Sequence, residues 1–159
     1  MAIVVARIDD RLVHGQVVIG WCRPHEITRI LLVDDQVAET EFEQDLYRLA
    51  VPDGIAVEFL TERAAPARLD QIAADAERVL VLTGSVLGMI GLQHARPSLL
   101  QTINIGGVHD RPGRRERLRY VYLTDEELGQ LSAIARAGVS VTAQDLPTSR
   151  PVLVEQLAT

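Results

Sequence analysis

Apolar positions along the chain fall into two alternating rhythms. Short aliphatic runs occupy residues 3–6, 30–33, 57–60, 79–82, 102–105, 120–123 and 139–143. Several are nearly continuous Val, Ile and Leu, the signature of strands covered on both faces. Between them the apolar residues recur with helical spacing. Thr40 with Glu43 reads as a capping box ahead of an apolar stripe of Phe42, Leu46, Leu49 and Ala50. Thr124 with Glu127 repeats the device before Leu128, Leu131, Ile134 and Ala135. Residues 63–75 predict an alanine-rich helix with Pro66 in its first turn, where proline is tolerated. Residues 85–93 predict a shorter helix, and 16–21 another directly after the first strand.

Repeated strand–helix–strand units predict an α/β fold: an open, mainly parallel seven-stranded sheet with helices on both faces. No repeat, linker or composition break divides residues 1–159, so one domain is expected. Segment 106–118, with glycines, a proline and clustered arginines, is too irregular for a crossover helix. The strand after it, 120–123, is therefore expected to pair antiparallel at one edge. In such folds ligands gather beyond the C-terminal ends of the strands.

Composition sharpens this picture at three points. The longest apolar run is the first six residues, far short of the roughly 20 that span a bilayer, and no secretory signal pattern opens the chain. A single cysteine, Cys22, excludes an internal disulfide and a thiolate metal cage, so a reducing compartment is expected. All 16 basic residues are arginine. The absence of lysine removes Schiff-base chemistry, the P-loop amine and the lysine of phospho-aspartate receivers. A net charge of −6 argues against a general nucleic-acid or anionic-membrane binder. Any anion this protein handles must be met by arginine.

The first strand runs into Arg7-Ile8-Asp9-Asp10-Arg11-Leu12-Val13-His14-Gly15-Gln16. This loop combines arginine, carboxylates and an imidazole just before a helix, a set suited to phosphoryl transfer through histidine. Neutral imidazole is a good nucleophile near neutral pH, and its phosphoramidate is labile enough to pass the group on. Arg11 can fork two bonds to phosphoryl oxygens, while the N–H groups of Gly15 and Gln16 offer further donors. Asp9 or Asp10 can hold one ring nitrogen and leave the other free. From chemistry alone, structural capping remains open for all three of His14, Asp9 and Asp10.

The stretch Arg7–Gln16 with Val17 resembles the phosphorylation loop of the IIB component of the bacterial phosphotransferase system, mannose/fructose/sorbose class. Trp21, the 30–33 strand with Asp34-Asp35-Gln36-Val37-Ala38, the Asn104-Ile105-Gly106-Gly107 turn, Gly113-Arg114 and the 121–128 capping segment follow in the family's order. The resemblance thus covers nearly the whole chain. It implies a cytoplasmic phosphocarrier associating peripherally with a membrane permease. His14 would accept a phosphoryl group from phospho-IIA and pass it to a sugar carried by the IIC and IID membrane components. It implies that Arg11 clamps the phosphoryl group and that Asp9 and Asp10 shape the loop and orient His14. No cofactor is implied, and a homo-oligomer is compatible with it. Arg114 stands where many relatives carry lysine, which keeps the charge and changes its geometry.

Several further expectations remain to be placed. Thr83 and Ser85, at the end of the fourth strand, can bind phosphate or cap the next helix. The arginine-rich loop, with Arg114 and Arg115, is a docking patch for an acidic partner or a solvated surface. His25, His94 and His109 lack metal-site spacing, and Cys22 reads as packing. Three other functions are alternatives: a regulatory phosphocarrier without transport, a receiver-like domain using Asp34 and Asp35, and a nucleotide-binding domain. The missing lysine counts against the second, and the missing G-x-G-x-x-G against the third.

Overall fold

The computed structural model describes residues 2–158. Its strands are β1 (Ile3–Ile8), β2 (Arg29–Val33), β3 (Ala56–Leu60), β4 (Val79–Thr83), β5 (Thr102–Ile105), β6 (Arg115–Leu118), β7 (Val121–Leu123), β8 (Ser140–Ala143) and β9 (Val152–Leu153). One seven-stranded sheet runs in the order β3-β2-β4-β1-β5-β8-β9. Every pairing in it is parallel except β8 with β9. The antiparallel edge strand is thus β9, not the strand expected at 120–123. β7 instead pairs antiparallel with β6 in a separate ribbon, which joins the first core through Val121 and Leu123 and bridges to Val108. β9 is two residues long, too short to leave an alternating pattern.

Period-two geometry divides the sheet's apolar residues between two cores. Ala6 and Ile8, Leu31 and Val33, and Val79 and Val81 face one side. Val5, Ile30, Leu32, Leu80 and Leu82 face the other. All five residues of β4 are buried, which is why its run is continuously apolar. The first side is covered by α3 (Ala65–Ala73), α4 (Val86–Ala95) and α5 (Asp125–Arg136). A π-helix, Gln16–Cys22, covers the second through Val17, Val18, Trp21 and Cys22. Burial pushes the Cys22 thiol up to about 12, consistent with a packing role.

The two capping boxes diverge. At α5 both halves form: Thr124 accepts from the Glu127 N–H at 3.0 Å and Glu127 from the Thr124 N–H at 2.8 Å. At Thr40 neither forms. A one-turn helix, α1 (Asp35–Ala38), precedes it, and the Thr40 hydroxyl turns back to donate to the Gln36 carbonyl at 2.7 Å. α2 (Glu41–Ala50) then rests on the sheet through Tyr47, whose ring lies 6.5 Å from that of Phe59. Its stripe consequently points outward, with Phe42 72%, Leu46 52% and Leu49 84% exposed.

The chain leaves β1 toward the π-helix on one face and leaves β4 toward α4 on the other. The C-terminal edge between these neighbouring strands is therefore open to a ligand. His14 lies there.

Candidate phosphoryl-transfer site

β1 extends to Ile8, so Arg7 belongs to the strand and the loop begins at Asp9. The Asp9 N–H donates to the Thr83 carbonyl at 2.9 Å and the Asp10 N–H to the Gly107 carbonyl at 2.8 Å, anchoring the loop to the ends of β4 and β5. A turn closes from the Leu12 N–H to the Asp9 carbonyl at 3.0 Å. Leu12 sits at φ 57°, a left-handed conformation that costs a residue with a side chain about 1 kcal/mol or more. Its side chain is buried in the π-helix core, and that burial offsets the strain.

Asp9 is the hub of the loop. Its carboxylate is fully buried and accepts from the Arg7 Nη2 at 3.1 Å, the Arg11 N–H at 3.1 Å, Arg11 Nε at 3.0 Å and Arg11 Nη2 at 3.0 Å. Burial alone would raise its pKa. The neighbouring His14, Arg11 and Arg7 more than reverse that and hold it well below the usual carboxylate range. Arg11 has its remaining Nη1 on the Gln16 side-chain oxygen at 2.6 Å and is one-third exposed. Asp9 also raises the Arg11 pKa through these hydrogen bonds, keeping the guanidinium charged.

The two ring nitrogens of His14 are differently placed. Nε2 is buried and faces the Asp9 carboxylate at 3.5 Å, beyond good hydrogen-bond distance. Nδ1 accepts the Gln16 N–H at 3.2 Å, on the exposed side of the loop. Gly15 leaves open space where a side chain would stand. A groove of about 450 Å³ begins there, running past Gln16 and Ile19 to Leu146 and Pro147.

Other expected site residues are placed differently. Asp10 does not reach His14. Its two oxygens accept from the His109 N–H at 2.7 Å and contact His109 Nδ1 at 2.6 Å, which pins segment 106–111 to the loop. The Thr83 hydroxyl accepts from the Ser85 N–H at 3.2 Å, and Ser85 from the Gly88 N–H at 2.9 Å. Ser85 therefore caps α4 and Thr83 holds the turn before it, while Ser85 lines a second cavity with Asp10 and Arg111. Asp34 caps α1 through the Val37 N–H, and Asp35 accepts from the Glu62 N–H, so the acidic pair is structural. Arg114 is nine-tenths buried against Glu127 at 3.1 Å. Arg115 and Arg117 share Asp125 at 2.8 and 2.9 Å, with Arg115 still 69% exposed.

Around the expected trio stand residues that sequence reasoning missed. Arg7 is fully buried between Asp9, Asn104 and the carbonyls of Gln144 and Asp145. Its guanidinium lies 4.6 Å over the Trp21 ring. Gly106 is glycine because a Cβ there would stand 2.7 Å from Asp9 Oδ2 and closer still to Arg7. An arginine terminating an aliphatic strand was the one available signal, since such a charge must be answered by the fold.

Comparison with known proteins agrees with this geometry. The family model of the PTS system sorbose subfamily IIB component matches residues 3–159. The sorbose-specific EIIB component of the phosphotransferase system (PTS) of Klebsiella pneumoniae is 33% identical over 146 residues, covering 89% of this chain and 85% of that one. The N-acetylgalactosamine-specific phosphotransferase enzyme IIB component 2 of Escherichia coli is 30% identical over 152 residues, 94% of both chains. The crystal structure of the IIBSor domain of the Klebsiella sorbose permease superposes with a TM-score of 0.89 at 27% identity, over 99% of this chain and 97% of that one. With a buried Asp9 gripping two arginines behind an accessible histidine, and a family match running from residue 3 to residue 159, the chain belongs to the sorbose-subfamily IIB components of the phosphotransferase system.

Proposed function

We propose that His14 is the phosphoryl carrier of this IIB component, taking the group from a phosphohistidine on IIA and passing it to a sugar at IIC and IID. The observation that carries this reading is the asymmetry of the His14 ring: Nε2 buried toward Asp9, Nδ1 on the open side. A carboxylate that stays ionised keeps the proton on Nε2 and leaves the Nδ1 lone pair as nucleophile. As Nδ1 bonds to phosphorus, the N–P bond of the donor breaks and its electron pair returns to the donor imidazole. The positive charge that develops on His14 is then offset by Asp9 through Nε2.

Arg11 stands beside this trajectory with exposed surface, and its Gln16 contact can be exchanged for a phosphoryl oxygen. Once Nδ1 is phosphorylated, the Gln16 N–H loses its present acceptor and turns to the same oxygens. Such a site needs no metal or cofactor, because positioning and charge neutralisation supply most of the catalysis. Nothing in it selects a hexose, which fits relatives named for sorbose and for N-acetylgalactosamine at similar identity. Sugar choice would then rest with the membrane components.

The test is phosphorylation from phosphoenolpyruvate through the energy-coupling proteins and IIA, with the acid-labile phosphate mapped by residue and nitrogen. Label is expected on His14 Nδ1 and none in His14→Ala. Label on His25, His94 or His109, or its persistence in His14→Ala, refutes the assignment.

A further inference from the structure

We infer that Arg7 is a positioning residue for phosphoryl transfer, the fixed counter-charge that holds Asp9 in place while Arg11 turns toward the phosphoryl group. This rests on the phosphohistidine reading above and adds to it a residue that never meets the phosphoryl group. Two arginines grip the same buried carboxylate oxygen, Asp9 Oδ2, at 3.1 and 3.0 Å. Their surroundings differ completely.

Arg7 is fully buried, with both Nη groups engaged on protein acceptors. Its Nη1 donates to Asn104 Oδ1 on β5 and to the Gln144 carbonyl at 2.9 Å. Nη2 donates to Asp9 and to the Asp145 carbonyl at 3.1 Å. The flat face is covered by Trp21, whose own Nε1 donates to the same Asp145 carbonyl at 3.2 Å. Sheet, π-helix and C-terminal loop therefore each hold one side of the fork.

Arg11 is the opposite case. It is one-third exposed, and each nitrogen of its guanidinium already has a partner: Nε on Asp9 Oδ1, Nη2 on Asp9 Oδ2, Nη1 on Gln16. Turning Nη1 and Nη2 together onto a phosphoryl group draws Nη2 away from Asp9 Oδ2 as well as Nη1 away from Gln16. Without a second cation, Asp9 would then be a buried carboxylate losing its partner, which strongly disfavours the move. Arg7 removes that obstacle. The inner arginine keeps Asp9 ionised and aimed at His14 Nε2, and the outer one is free to exchange. Gly106 fits this arrangement, since any side chain there would push into both Arg7 and Asp9.

The test is a double-mutant cycle between Arg7 and the charge it is said to hold. Arg7→Met, Asp9→Asn and the pair are assayed for single-turnover transfer from phospho-IIA, together with the thermal midpoint of each. Arg7→Met should slow the maximal transfer rate about tenfold or more without raising the half-saturating donor concentration, because fully buried Arg7 presents no surface to a donor protein. In the Asp9→Asn background the same change should cost less than about twofold, since no carboxylate remains to hold. A merely structural Arg7 would lower the thermal midpoint and the rate by similar amounts in both backgrounds. Equal losses in the two backgrounds, or wild-type transfer by Arg7→Met, overturn the inference. Where Arg7→Met is too unstable to assay, Arg7→Lys is carried through the same cycle, with a loss of several-fold expected beside Asp9 and none beside Asn. His14→Ala separates the two readings: label persisting there overturns the phosphohistidine assignment and this inference together. Label lost there with Arg7→Met at wild-type speed overturns this inference alone.

Discussion

At the scale of single residues, the site is governed by one buried carboxylate and the donors around it. Arg11 divides its hydrogen bonds between Asp9 and Gln16, and on the proposed mechanism the fork of its guanidinium is re-aimed at the phosphoryl group. Arg11→Ala is expected to slow transfer on the order of 10²-fold with the fold intact, and Arg11→Lys to be clearly impaired although the charge is kept. Rapid-quench transfer kinetics check both. Asp9 makes a different kind of claim. Its pKa is lower folded than unfolded, so it contributes stability above the unfolded value of about 4 that is lost as pH falls toward the folded one. Asp9→Asn should therefore be less stable than the wild type near neutrality, and the gap should narrow below about pH 4. Urea denaturation at pH 7 and pH 3 measures it, and a gap that widens in acid would remove Asp9 from this role.

At the scale of elements, the consequences of local sequence depend on what the fold puts next to it. Thr124→Ala breaks a complete capping box and should cost about 1 kcal/mol, whereas Thr40→Ala, whose hydroxyl only donates backward to Gln36, should cost under about 0.5 kcal/mol. Thermal unfolding of the two variants compares them directly. Gly106→Ala places a methyl against two rigid, buried charges, so a loss of about 1–3 kcal/mol is expected together with slower transfer. These pairs also mark what was legible in the chain. His14, Arg11 and Asp9 were readable because they lie within six residues of one another on one loop. Arg7's partners were not, since Asn104 comes from β5 and the 144–145 carbonyls from the loop after β8, which only the fold brings to β1. Likewise the rhythm of Phe42, Leu46 and Leu49 correctly gave a helix face but said nothing of what covers it. For His109 the spacing spoke only against a metal site, because its partnership with Asp10 is tertiary.

At the scale of the whole molecule, charge is distributed unevenly in a way that bears on encounter with the phosphodonor. The chain carries −6, and segment 110–119 holds five arginines against two acids, so the remainder carries about −9. The fold answers part of this patch. Arg114 is buried on Glu127, and Arg115 and Arg117 share Asp125, while Arg111 and Arg119 make no ion pair with any described residue. Counting Asp125 and Glu127, one net positive charge remains, with Arg111 lining the cavity that Asp10 and Leu12 share with the active loop. The segment is held there by Arg114 on the His109 carbonyl at 3.0 Å and by His109 on Asp10. A small positive patch beside the mouth of an acidic body steers a negatively charged partner over about one Debye length, roughly 8 Å at physiological salt. On this proposal the steering cations would be Arg111 and the exposed Arg115 rather than Arg114, which is buried on Glu127. Transfer from IIA should slow a few-fold as salt rises from about 50 to about 500 mM, and Arg111→Glu/Arg115→Glu should flatten that dependence while leaving stability near wild type. Arg114→Glu should behave oppositely, costing about 3 kcal/mol or more of stability because it sets a second carboxylate against buried Glu127. If the Arg111/Arg115 double variant accepts phosphate as fast as the wild type at low salt, the segment is a solvated surface and docking is carried elsewhere.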